Sequence, residues 1–134
     1  MEGRCACSSV RVTLARRPDY INQCDCSVCL RLGAAWGYFH PRDVTVIGET
    51  ARFIRGDVAE PYIAYHSCPV CGATTHWTPL PNGPSERTGV NMRLFEPDSL
   101  EGLEVRFSDG LRRQGKDRPP DRHPPITIRD RWPT

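Results

Sequence analysis

The sequence has no long apolar run. Its longest apolar stretches, such as Gly33–Phe39, fall far short of the ~20 residues that a membrane-spanning helix needs, which excludes a helical span. No apolar leader precedes the first cysteines either. Met1-Glu2-Gly3-Arg4 runs straight into Cys5, so the chain is expected to stay in the cytoplasm. Lysine is nearly missing: of 18 basic side chains only Lys116 is a lysine, a bias of composition rather than the mark of a site. Helix-forming sequence is scarce too, confined to Cys26–Leu32 and Pro97–Gly102. An even cysteine count is also lacking. Seven cysteines cannot all pair, which weighs against a closed disulfide framework, and clustered cysteines in a reducing compartment more often bind metal.

What is present fits one domain of 134 residues with a modest core, 38% of the residues being apolar. The net charge of +2 conceals an asymmetry. Basic side chains concentrate after Gly110, so residues 1–109 are slightly acidic, which weighs against nucleic-acid binding by the folded part. Val10, Val12 and Leu14 alternate with Arg11 and Thr13, the period of a half-buried strand. Ala34–His40 and Val44–Ile47 read as strands split by Pro41. Ala51–Arg55, Tyr62–His66, Ala73–Thr78, Gly89–Phe95 and Leu103–Phe107 complete a mainly β set. The expected division is a zinc-binding domain over residues 1–109 and a Pro/Arg-rich tail over 110–134, extended or disordered. The tail is expected to be dispensable, with one reservation: Ile126-Thr127-Ile128 alternates and could add an edge strand.

Three cysteine clusters carry the chemistry. Cys68-Pro69-Val70-Cys71-Gly72 is a zinc knuckle, with two thiolates at the spacing that one tetrahedral ion accepts and a Gly that permits the tight turn. A knuckle supplies two ligands, and Cys5/Cys7, two apart on extended chain, are the candidate second pair. Four thiolates close the coordination sphere, so this site would be structural. Cys24, Cys26 and Cys29 follow C-x-C-x-x-C spacing. Three thiolates on one short loop leave a fourth position open, as a catalytic zinc does. Asp25 and Ser27, between these ligands, either hydrogen-bond around the site or simply start the turn. His40, His66 or His76 could instead complete a second structural site, although each reads first as an ordinary sheet residue. Cys26 and Cys29 could also form a redox dithiol, but no βαβ context surrounds them. Trp36, Tyr38, Phe39, Tyr65 and Trp77 are core residues, and Trp36 or Trp77 could wall a site.

These motifs together resemble the glutathione-dependent formaldehyde-activating enzyme family, which includes centromere protein V. The resemblance rests on Gly3-Arg4-Cys5-Ala6-Cys7 with the strand after it, Cys24–Cys29 with Gly33-Ala34, and Pro41 with Ile47-Gly48-Glu49. It continues through Cys68–Gly72 with Trp77, and Val90-Asn91-Met92-Arg93-Leu94. It spans roughly residues 3–107, and Ser8 stands where the family carries Gly. The resemblance implies a mainly β fold, a β-tent of packed antiparallel sheets. It implies two zinc ions: a structural one on Cys5, Cys7, Cys68 and Cys71, and a catalytic one on Cys24, Cys26 and Cys29. The implied activity is that of a carbon–sulfur lyase acting on thiol–aldehyde adducts, like S-(hydroxymethyl)glutathione synthase. The implied partners are a small thiol such as glutathione and a small aldehyde; a homodimer is left open. Arg31 and Arg93 are the candidates to bind the carboxylates of such a thiol. The competing reading is a non-enzymatic zinc module that contacts a protein or nucleic acid through its basic tail; a redox or metal-handling role is the remainder.

Overall fold

A computed structural model describes residues 1–113 and 117–132. Among these residues there are two sheets and one α-helix. The smaller sheet holds β1 (Glu2–Arg4), β2 (Arg11–Leu14) and β5 (Val44–Ile47) in the order β1-β2-β5, all antiparallel. The larger sheet holds β3 (Ile21–Asn22), β4 (Trp36–Phe39), β6 (Ala51–Phe53), β7 (Ile63–Ser67), β8 (Thr74–Pro79), β9 (Thr88–Asn91), β10 (Glu104–Phe107) and β11 (His123–Thr127). Its order is β11-β10-β3-β4-β9-β8-β7-β6, and only β10 and β3 run parallel. The mainly β reading therefore holds, with two packed sheets. No helix among the described residues is long and apolar enough to cross a membrane.

The alternation seen in the sequence builds the core. Val12 and Leu14 turn inward from β2 at 0% and 2% exposure, while Arg11 and Thr13 face out. They pack with Ile21, Phe39, Val90, Met92, Leu100 and Val105 between the two sheets. Each such side chain contributes ~1.5–3 kcal/mol on leaving water. Pro41 splits β4 from β5 as expected, opening a single 3-10 turn over Pro41–Asp43. The helix α1 covers Ser27–Leu32 and stops at Gly33, which takes a left-handed φ of 62° and donates its N–H to the Cys29 carbonyl.

The C-terminal segment departs from its expected role. His123–Thr127 pairs antiparallel with β10, Val105 lying opposite Ile126 and Phe107 opposite His123. Ile128 is fully buried in the main core, and its N–H donates to the Leu103 carbonyl at 2.8 Å. Pro124 and Pro125 are accommodated because β11 is the last strand of the sheet and its pairing with β10 is irregular between Val105 and Phe107: successive N–H positions face opposite sides, so one missing N–H faces the open edge and the other falls in the irregularity. The reservation about Ile126-Thr127-Ile128 carries more weight than the Pro-rich composition.

Candidate metal centres

Four sulfurs converge where the two sheets meet. Cys5 and Cys7 lie in the turn after β1, and Cys68 and Cys71 in the turn between β7 and β8; their sulfurs all lie within 4.8 Å of one another. Cys5 and Cys7 are 3.7 Å apart and Cys7 and Cys68 3.6 Å apart. A tetrahedron with ~2.3 Å zinc–sulfur bonds has edges of ~3.75 Å, so the spacing fits a tetrathiolate ion. Backbone N–H groups already point at the sulfurs: Val10 donates to Cys5 at 3.2 Å, and Val70 and Cys71 donate to Cys68 at 3.4 and 3.5 Å. Such donors favour the thiolate form that a metal needs. Backbone donors likewise lower the Cys71 thiol to about 6. Both turns require a left-handed residue. Gly72 supplies one with φ 79°, and in the first turn Ser8 takes φ 66°. Nothing crowds a Cβ at Gly72, so its requirement is torsional rather than steric.

The second group is Cys24, Cys26 and Cys29, with sulfurs also mutually within 4.8 Å. Cys26 caps α1, its sulfur accepting the Cys29 N–H at 3.3 Å. Cys24 accepts the Cys26 N–H at 3.4 Å, and Cys29 accepts the Trp36 indole N–H at 3.3 Å. Each sulfur thus has its own donor. Hydrogen bonds from the Cys24 and Cys29 thiols hold Cys26 far below the usual thiol range, whereas sharing that negative charge pushes Cys24 and Cys29 up. The donor set suits a soft or borderline ion such as zinc. Around it lie Ala34, Trp36, Tyr65 and Trp77, all buried, with Tyr38 alongside. Trp36 therefore touches a site sulfur directly, and Trp77 belongs to the same wall. Burial keeps the Tyr65 phenol protonated well above its ordinary range and pushes Tyr38 up to about 12.

Among the described residues no histidine joins this trio. His40 accepts the Arg42 N–H at 3.1 Å. His66 is held between Thr50 and Thr78 at 2.9 and 2.8 Å, and His76 stacks on it with ring centroids 4.3 Å apart. All three are sheet or turn residues with local partners.

The two arginines named from sequence separate. Arg31 turns its guanidinium onto the Ser27 carbonyl at 2.8 Å, close to the trio. Arg93 stacks over Trp132, 4.7 Å from the ring centre, and lines a cavity of about 450 Å³ with Arg4, Cys5 and Ala6 on the side of the four-cysteine group. The cation missed in the sequence is Arg55. It donates to the Ser27 hydroxyl at 3.2 Å, pairs with Asp57 at 2.7 Å, and its charge interacts with Cys26. Two guanidiniums therefore meet at Ser27, the residue that follows Cys26. Asp25 is also committed: its Oδ1 accepts the Gly110 N–H at 2.7 Å and the Leu111 N–H at 3.3 Å, and its Oδ2 lies 3.4 Å from the Arg122 guanidinium. Asp25 is thus bonded outward from the cysteine loop, while Ser27 begins α1 and exchanges side-chain bonds with Asp57 and Arg55.

A family model described as glutathione-dependent formaldehyde-activating enzyme matches residues 1–103. A crystal structure of a Rhodobacter sphaeroides protein superimposes with a TM-score of 0.59 at 25% identity, over 77% of this chain and 97% of that one. Comparison with curated proteins gives no match. The matched family region contains all seven cysteines and ends before β10 and β11.

Proposed function

The chain belongs to the glutathione-dependent formaldehyde-activating enzyme family, and from that premise we propose that it is a zinc-dependent carbon–sulfur lyase-type enzyme acting on thiol–aldehyde adducts. Cys5, Cys7, Cys68 and Cys71 would hold a structural zinc, and Cys24, Cys26 and Cys29 a catalytic one. The observation that carries the reading is the second group: three sulfurs within 4.8 Å of one another and no fourth protein ligand among the described residues. When bound there, zinc supplies Lewis acidity and lowers the pKa of a coordinating thiol.

The chain's own residues do the rest. The Trp36 indole N–H orients Cys29, and the aromatic wall of Trp36, Tyr65 and Trp77 limits water at the sulfurs. Arg31, reaching Ser27, supplies positive charge beside a trithiolate and suits a carboxylate of a small peptide thiol, while Arg55, whose charge Asp57 already pairs, holds the Ser27 hydroxyl. Arg93, on the far group, is not assigned that role. In the forward direction the thiol sulfur bonds to the aldehyde carbon and the thiol proton ends on the former carbonyl oxygen. In reverse the carbon–sulfur bond breaks and the carbonyl re-forms. No electrons are exchanged with an outside partner.

Exchange spectroscopy on mixtures of glutathione and formaldehyde tests this. The wild-type protein is expected to accelerate interconversion of free thiol and hydroxymethyl adduct, and Cys26→Ser to abolish the acceleration. Equal rates with wild type, with Cys26→Ser and without protein would remove the enzyme reading.

A further inference from the structure

The segment after the family-matched residues does more than complete a sheet. We propose that it is the outer clamp of the Cys24–Cys29 loop, with Gly110 and Arg122 as positioning residues that set the affinity of the trithiolate site for its metal. The proposal rests on reading that trio as a metal site.

Three sets of contacts converge on Cys24. Asp25, which follows it, takes the N–H groups of Gly110 and Leu111 and pairs with Arg122. Gln23, which precedes it, gives its carbonyl to the Arg122 Nη2 at 2.9 Å. One guanidinium thus holds the backbone carbonyl before a ligand and the side-chain carboxylate after it. The third contact is steric: a Cβ on Gly110 would lie 2.4 Å from the Cys24 sulfur and 2.8 Å from the Cys26 Cβ. The chain passes so close to the ligand loop that only glycine fits there.

β11 is what brings Arg122 to this place. The Arg122 N–H donates to the Phe107 carbonyl at 3.1 Å, just before His123 enters its pairing with Phe107. Arg122 also donates to the Ser108 carbonyl at 3.3 Å. Its grip on Asp25 matters because that pair is partly shielded, the Asp25 side chain being only 15% exposed. Three thiolates around a divalent ion leave net negative charge, and an uncompensated carboxylate one residue away would add to it. Arg122 offsets that charge, and the two backbone N–H groups satisfy the other carboxylate oxygen. They also hold the loop in one geometry, so less conformational entropy remains to be lost when the metal binds.

The test uses the full chain loaded with cobalt(II) alone, with chelator competition resolving the tetrathiolate ion from the trithiolate ion. Arg122→Gln and Gly110→Ala are each expected to weaken the trithiolate ion about ten- to hundredfold and leave the tetrathiolate ion unchanged. Leu14→Ala, a core change in β2 outside this segment, is expected to lower the melting temperature and keep both affinities within about twofold. The clamp is overturned if Arg122→Gln and Gly110→Ala hold the second ion as tightly as wild type, or if Leu14→Ala weakens it as much as they do. Should Arg122→Gln fail to fold, Gly110→Ala alone decides. A wild type that binds one ion only would remove the functional reading and the clamp together; two ions with insensitive variants would remove the clamp alone.

Discussion

Ile128→Ala asks whether the C-terminal segment is part of the domain. Ile128 is 0% exposed and sits in the main core cluster, with Trp132 and Ile126 packed at its margin. The substitution removes about three carbon groups at ~0.8 kcal/mol each and leaves a void that the two sheets, tied by their own ladders, cannot fully close. The expected loss is about 3 kcal/mol. At ~2.1 cal/mol/K per residue, a chain of 134 residues unfolds with an entropy of ~0.28 kcal/mol/K, so the melting temperature should fall by ~10 °C. Thermal unfolding followed by circular dichroism in excess zinc measures this. Leu111→Ala, at a side chain 63% exposed in the same segment, should cost under ~0.5 kcal/mol and serves as the control. If Ile128→Ala shifts the midpoint no more than Leu111→Ala does, the segment lies outside the core and residues 110–134 are the dispensable tail that composition suggests.

Two other outcomes concern the cysteine groups and His76. Cys71→Ser should damage folding, because metal binding to a closed thiolate site is folding free energy of ~10 kcal/mol or more, whereas Cys26→Ser should keep a near-native melt and lose activity; equal destabilisation in the two melts would contradict the division of roles. Burial, with the charge of neighbouring His66 second, lowers His76 to about 4 from an ordinary 6.5. Above pH 6.5 both folded and unfolded chains keep it neutral and nothing is lost. Between 6.5 and 4 the unfolded chain takes up a proton that the fold refuses, so stability falls by at most roughly 3 kcal/mol. His76→Gln should reduce the fall in denaturant-measured stability across that window, the part that remains including His66, which burial also lowers, and an unchanged slope would show that His76 is not a titrating group there.

The parts legible in the sequence were those written in local spacing. Val12 and Leu14 show their strand by alternation, Pro41 marks the break before β5, and Gly72 marks the knuckle turn. The cysteine groups divided correctly because ligand pairs two or three residues apart carry their geometry with them. What escaped depends on contacts far along the chain. β1 is Glu-Gly-Arg and β3 only Ile-Asn, too short for any pattern, and both exist because neighbours offer ladder partners. β11 hid behind two prolines that an edge strand tolerates. Arg55 meets Ser27 across 28 residues and Gly110 meets Asp25 across 85, so neither could be found by spacing. Arg93 lies in a segment that resembles the family, and its side chain stacks over Trp132 in a cavity lined also by Arg4, Cys5 and Ala6. Ser8 departs from the expected glycine in residue type but keeps the left-handed turn that a glycine would supply.

The central claim is that Cys24, Cys26 and Cys29 form a metal site with room for a thiol sulfur. Cobalt(II)-substituted protein titrated with glutathione tests it most directly. The account predicts two cobalt ions per chain and a sulfur-to-cobalt charge-transfer absorption that strengthens and saturates as thiol is added, a response missing in Cys26→Ser. A wild-type spectrum that stays unchanged through millimolar thiol would contradict it.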